Sequence, residues 1–250
     1  MTGPAAVLLL AAAAARGASL PAPAAAGGEA PEAVFARAAA AYESGRYAEA
    51  RDAWAGLAAA GTLTPSLCYN LGDASWRLGD RGRAILWFER ARRLSPRDED
   101  IRFNLGLARA ALGGEDGSPW ELADRLLTPR ELAWAVVVLA WLAGGWAGAA
   151  LWRGLPGTAW RGPALAAAAA LAAAAALLAA REHDLARPWA VVVRPGVEVR
   201  SGPGEQFTVG FTAPEGRRAL LLNRRPGWRE IGIPRESLKG WVTEDAVERL

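Results

Sequence analysis

At 250 residues the chain has room for one or two globular units, yet 52% of it is apolar, more than a soluble domain of that size needs. The net charge is only +3, from 29 basic and 26 acidic residues that alternate along the chain. That pattern argues against nucleic acid as a partner, because phosphate binding favours a one-sided basic face. One cysteine (Cys68) and one histidine (His183) exclude an intrachain disulfide and a Cys/His zinc cage.

The first 26 residues read as a secretory signal peptide. A short apolar run, Val7 to Ala15, precedes small residues with Ala24-Ala25-Ala26 as a cleavage point, although no Lys or Arg comes before the run. The run is too short to span a bilayer comfortably.

From residue 31 to 112 the chain repeats itself. Asn70-Leu71-Gly72 returns as Asn104-Leu105-Gly106, 34 residues on, and at that offset Pro31, Pro65 and Glu99 open equivalent units. The interval resembles that of tetratricopeptide repeats, in which each unit is a helix pair. In the second unit Leu71, Gly72, Gly79, Ala84, Phe88, Ala91 and Pro96 match the packing pattern. The first unit matches more loosely, through Tyr42, Gly45, Tyr47 and Trp54, and the third stops after one helix. Gly72 and Gly106 are expected to admit a neighbouring helix closely, with Phe88 and Trp54 filling the groove between pairs. Thr64 should cap a helix that Pro65 begins, and Gly45 and Gly79 should make the turns. Cys68 then sits on a first helix as a small buried residue.

The same register places Tyr69, Asp73, Trp76 and Arg77 on the groove face, joined by Phe103 and Leu107 from the next first helix. Trp76 offers area and Arg77 a fork for carboxylates, residue types that often dominate interfaces. The competing role for these residues is ordinary stacking and solvated helix surface.

Residues 113–128 read as a linker, and Thr128-Pro129-Arg130-Glu131 as a capping box. Residues 131–152 follow with no charge after Glu131, long enough as a helix (about 33 Å) to cross the hydrocarbon core. Trp134 and Trp152 lie near its ends, where indole rings favour the interface. Residues 164–180, mostly alanine, are expected to form a second span, the alternative being a re-entrant segment or one packed against the first helix, where alanines permit close contact. The loop between them, 153–162, carries only Arg153 and Arg161, so it is expected in the cytoplasm with both larger regions outside.

Residues 189–250 change period to short β-rich runs between Gly/Pro turns, the pattern of a small all-β barrel. "VRSGPG" (Val199 to Gly204), Gly227-Trp228 and "GWV" (Gly240 to Val242) resemble a bacterial SH3-like domain. Trp228 and Trp241 are expected to fill the barrel interior or to line its ligand groove.

Signal sequence, tetratricopeptide helical solenoid, two-helix transmembrane hairpin and SH3-like barrel, in that order, resemble the BatE-like proteins of the bacterial aerotolerance group. The loop charges and the exported N-terminus are expected to put both modules of this multidomain inner-membrane protein on the periplasmic side, and the resemblance adds to that. It also implies membrane-anchored von Willebrand A-type partners, an associated MoxR-type ATPase, and a role in envelope integrity under stress. The residues themselves suggest a scaffold without cofactor or catalytic centre, since no nucleophile with a nearby base, phosphate loop or metal spacing is present. Peptidoglycan binding or sensing through the SH3-like domain is the alternative reading.

Overall fold

The first five helices keep the interval of the sequence. They are α1 (Pro31–Glu43), α2 (Tyr47–Ala59), α3 (Pro65–Arg77), α4 (Arg81–Leu94) and α5 (Glu99–Ala111). The computed structural model describes residues 30–114, 120–154, 156–234 and 236–250, with the backbone alone for 157–161. The proposed signal segment lies outside the described residues. Helices α1, α3 and α5 begin at Pro31, Pro65 and Glu99, the three positions that the 34-residue offset makes equivalent.

Local chemistry explains these boundaries. The Thr64 hydroxyl accepts from the backbone N–H of Leu67 at 3.2 Å, and Pro65 follows where its missing N–H has no intrahelical partner to lose. Gly45 and Gly79 turn the chain with φ of +76° and +79°, a region costly for any residue with a Cβ. Between pairs, a Cβ on Gly72 would lie 2.7 Å from the Phe88 ring, so this contact requires glycine. Trp54 is 1% exposed and packs with Ala38, Leu57, Leu67 and Leu71 in the first core. Gly106 departs from expectation, having nothing within 4 Å of where its Cβ would be. Among the described residues the second-helix positions of the third unit hold only a short helix, Glu121–Leu126, and nothing there reaches Gly106.

The expected linker contains a short helix, α6 (Glu121–Leu126). It is followed by α7 (Pro129–Trp152), whose capping box is complete. Glu131 N–H donates to Thr128 Oγ1 at 3.3 Å, and Thr128 N–H donates to Glu131 Oε2 at 2.9 Å. Helix α8 (Gly157–Ala186) begins earlier and ends later than the expected second span. It takes in Gly157 to Gly162, and Pro163 inside it forfeits one ladder hydrogen bond without ending the helix. The most apolar 18-residue window has a mean hydropathy of 1.7 in α7 and 2.1 within residues 162–186. Both helices are long and apolar enough, by length and composition, to cross a membrane.

The chain divides into two compact units. One joins Leu122 to Ala186; in it Arg181 clamps Asp124 through Nε–Oδ1 (3.0 Å) and Nη2–Oδ2 (2.6 Å), a bidentate pair almost wholly buried. It fastens the segment before α7 to the end of α8. The other unit combines Gly28–Glu121 with Arg187–Leu250, so the helical array and the C-terminal strands belong together.

Those strands are β1 (Trp189–Val192), β2 (Val197–Arg200), β3 (Val209–Ala213), β4 (Arg218–Arg225), β5 (Trp228–Ile233), β6 (Leu238–Thr243) and β7 (Val247–Arg249). They form one antiparallel sheet in the order β3-β2-β6-β5-β4-β1-β7. The expected closed barrel is corrected here. Strands β3 and β7 stand at opposite edges, and β2 meets β6 at the single pair Arg200–Trp241. A three-residue β7 and a mostly exposed β3 do not supply the ladder that closure requires. The core is aliphatic: Val192, Val197, Val199, Ile231 and Val242 with Ala213, Ala219 and Ala246.

Candidate functional site: the face of the first helices

Helices α1, α3 and α5 open their units, and their side chains meet across a common face. The Tyr42 hydroxyl of α1 donates to Asp73 Oδ2 of α3. Asp73 also pairs with Arg77, Nε to Oδ1 at 3.9 Å, and the Arg77 guanidinium lies 5.9 Å from the centre of the Tyr47 ring. One turn back, the Tyr69 hydroxyl accepts from Asn104 Nδ2 of α5 at 2.9 Å, and Asn104 also donates to the Asp100 carbonyl. Tyr69 rests on Phe88 with ring centres 5.7 Å apart. Helix register explains the set: Tyr69, Asp73 and Arg77 recur every four residues on one stripe of α3.

Burial and neighbouring carboxylates keep the two phenols of this face protonated. Burial, followed by the hydrogen bond to the Asp73 carboxylate, pushes the Tyr42 phenol up to about 12. Tyr69 is also raised, by burial and then by the nearby carboxylates of Asp73, Asp100 and Asp98. Both phenols stay neutral at physiological pH and act as hydrogen-bonding tips on apolar bodies. Cys68, fully buried behind them, is raised to about 11 by burial and is a packing residue. Among the described residues no group of three His, Cys, Asp or Glu is placed to hold a metal ion.

The expected groove residues are placed unequally. Tyr69, Asp73 and Arg77 come together. Phe103 and Leu107 on α5 are 66% and 52% exposed, large apolar side chains with their surface in solvent. Trp76 instead packs against the second core cluster, with the Arg81 guanidinium 5.7 Å from its ring. Tyr42, Tyr47 and Asn104 complete the face and were absent from the expected site. The repeat does not mark them: Tyr42 stands 34 residues before Trp76, which lies off this face, and Asn104 stands 34 after Asn70, which was not among the expected residues.

In the sheet, Trp228 and Trp241 are half-buried and neither joins the aliphatic core. Trp228 lines a cavity of about 460 Å³ with Arg194, Glu198, Arg200, Glu205 and Thr243. Arg200 is fixed there by the carbonyls of Glu205 (2.8 Å) and Phe207 (2.9 Å), and Arg194 pairs with Asp245 at 2.6 Å. Trp241 lies opposite Arg200 on one side and Glu230 on the other.

A family model described as Tetratricopeptide repeat matches residues 65–98, which covers α3, α4 and the turn after them. No curated protein matches the chain. The matched repeat is flanked by helices on the same 34-residue spacing, so the array is tetratricopeptide-like, a class of repeat that serves as a non-catalytic scaffold for protein partners.

Proposed function

We propose that the chain is a membrane-anchored scaffold of the bacterial cell envelope, related to the BatE-like aerotolerance proteins. It would be exported by its N-terminal segment and held in the inner membrane by α7 and α8. The helical array and an SH3-like C-terminal module would lie on the periplasmic side. The observation that carries this reading is the face built by Tyr42, Tyr69, Asp73, Arg77 and Asn104 beside the exposed Phe103 and Leu107. Fixed polar tips beside uncovered apolar side chains suit a protein segment with apolar anchors and a carboxylate for Arg77. The family resemblance suggests a membrane-anchored von Willebrand A-type protein as that partner.

The test is capture of envelope proteins from gently solubilised membranes. Phe103→Ala with Leu107→Ala should reduce partner recovery at least tenfold while changing stability little, because both side chains are largely exposed. Unchanged recovery would reject this face. The Trp228 cavity favours a second reading, in which the sheet engages peptidoglycan and the array only positions it. The same full-length protein sedimented with purified sacculi separates the two: binding lost on Trp228→Ala supports the second, and no binding leaves the first.

A further inference from the structure

The outer face of the second helix in each repeat differs between the two complete units. In α2, Ala48, Arg51 and Asp52 meet solvent, as an outer array face ordinarily does. Thirty-four residues on, α4 carries Gly82, Ile85 and Leu86 at those positions, with Ile85 2% and Leu86 0% exposed. A charged, solvated face has become an apolar, covered one. The sequence of α4 requires a cover that α2 does not.

The second helix of a next repeat does not supply that cover, since α4 leaves the matching positions of α2 in solvent, and of positions 115–128 the described residues hold only the short α6. The C-terminal sheet supplies it. Val191 of β1 and Val193 just beyond it share a core cluster with Ala84, Ile85, Leu86 and Phe88 of α4 and Leu105 and Ala108 of α5, with Leu112 and Leu250 packed beside them. The approach is close enough to demand glycine on both sides. A Cβ on Gly82 would meet the Val193 Cα at 2.7 Å and the Val192 carbonyl at 2.9 Å. One on Gly216, whose φ is +79°, would meet Ile85 Cδ1 at 2.5 Å. Polar contacts complete the seat. Glu215 Oε1 accepts the backbone N–H of Gly82 at 2.6 Å, placing a carboxylate from the sheet on the N-terminus of α4. At the rim Arg90 donates to the Arg249 carbonyl and pairs with Glu248 at 3.2 Å.

We infer that the C-terminal sheet is the end cap of the helical array, seated on the outer face of α4 and on α5, and that the two apolar helices are an insertion within one folded body. Two consequences follow. The array cannot lengthen past α5, so its partner face ends at Phe103 and Leu107. The two halves share a core, so the chain between them leaves and returns on one side of any membrane that it enters. The inference stands apart from the identity of the partner.

The sign of one substitution tests it. Gly82→Ala improves helix propensity, so an uncapped α4 would gain stability, as Gly56→Ala should at an exposed helical site with nothing within 4 Å. With the sheet seated, the added methyl strikes backbone. In the full-length protein Gly82→Ala should lower Tm by about 5 °C or more while Gly56→Ala does not lower it. A second measurement does not depend on Gly82. Arg90→Cys with Glu248→Cys should be joined within one chain by a short bifunctional thiol reagent, and the buried Cys68 will not compete. A raised Tm for Gly82→Ala, or failure of the intramolecular cross-link, overturns the cap.

Discussion

Replacing Glu89 with alanine should lower the stability of the helical body by about 3–5 kcal/mol, the cost of breaking a buried ionic group by removing one partner. The Glu89 side chain has no exposed surface. Its Oε2 accepts from Arg92 Nη2 at 3.0 Å and Nε at 3.3 Å, and its Oε1 accepts from Arg109 Nη2. Glu121, at the start of α6, pairs with Arg109 at 2.9 Å and reaches Arg92 at 3.8 Å. Without Glu89 the two arginines, 6% and 13% exposed, keep their charge in a place that water scarcely reaches. The first repeat has Ala55 at this position, so the helical packing pattern does not call for a carboxylate here.

The same cluster has a pH signature. Burial alone would raise the Glu89 pKa, but Arg92, Arg109 and Arg218 together hold it well below the usual carboxylate range. A folded-state pKa below the unfolded one means that this stability is fully present above the unfolded value of about 4.3 and is lost as pH falls toward the folded value. The stability gap between wild type and Glu89→Gln, measured by chemical denaturation, should therefore be widest near neutrality and narrow below about pH 4. A gap of equal size at pH 7 and pH 3 would mean that the carboxylate charge is not its source.

Phe88→Ala is the second large effect, at about 3–5 kcal/mol. Phe88 is 2% exposed, lies against the Gly72 backbone, touches Tyr69 of the first-helix face and belongs to the cluster that includes Val191 and Val193 of the sheet. Removing the ring opens a cavity at the point where array and cap share a core. Helical circular dichroism and tryptophan emission from the sheet should shift to lower temperature together. A variant that loses helix at reduced temperature while the sheet melts unchanged would contradict the shared core. Phe88→Leu, which preserves much of the volume, should cost less than half as much.

Much of the helical part was legible from sequence because tetratricopeptide packing is short-range. Leu71, Gly72 and Phe88 repeat a pattern whose meaning is complete within one unit and its neighbour, and the caps at Thr64 and Thr128 are read from residues three apart. The sheet was less legible. Its strands follow alternation and turn glycines, but whether its edges meet depends on long-range pairing, which left β3 and β7 apart. The tryptophans that sequence reading assigned to a barrel interior or ligand groove lie outside the core, because valines and alanines already fill it. The cap was written in the sequence as the change from Arg51 and Asp52 to Ile85 and Leu86, a signal visible only when the outer faces of two repeats are compared. The face of the first helices was half legible: helical spacing grouped Tyr69, Asp73 and Arg77, whereas Tyr42 and Asn104 reach it across helices through contacts that no local pattern encodes.

The most direct measurement is thiol labelling from one side of the membrane in a Cys68→Ala background, with cysteines placed singly at Arg46, Arg153 and Lys239, all exposed. A membrane-impermeant maleimide applied to intact cells with a permeabilised outer membrane should label Arg46→Cys and Lys239→Cys alike and reach Arg153→Cys only after lysis. Labelling of the array and the sheet from opposite sides would contradict one body divided by a paired crossing, and with it the scaffold built upon that body.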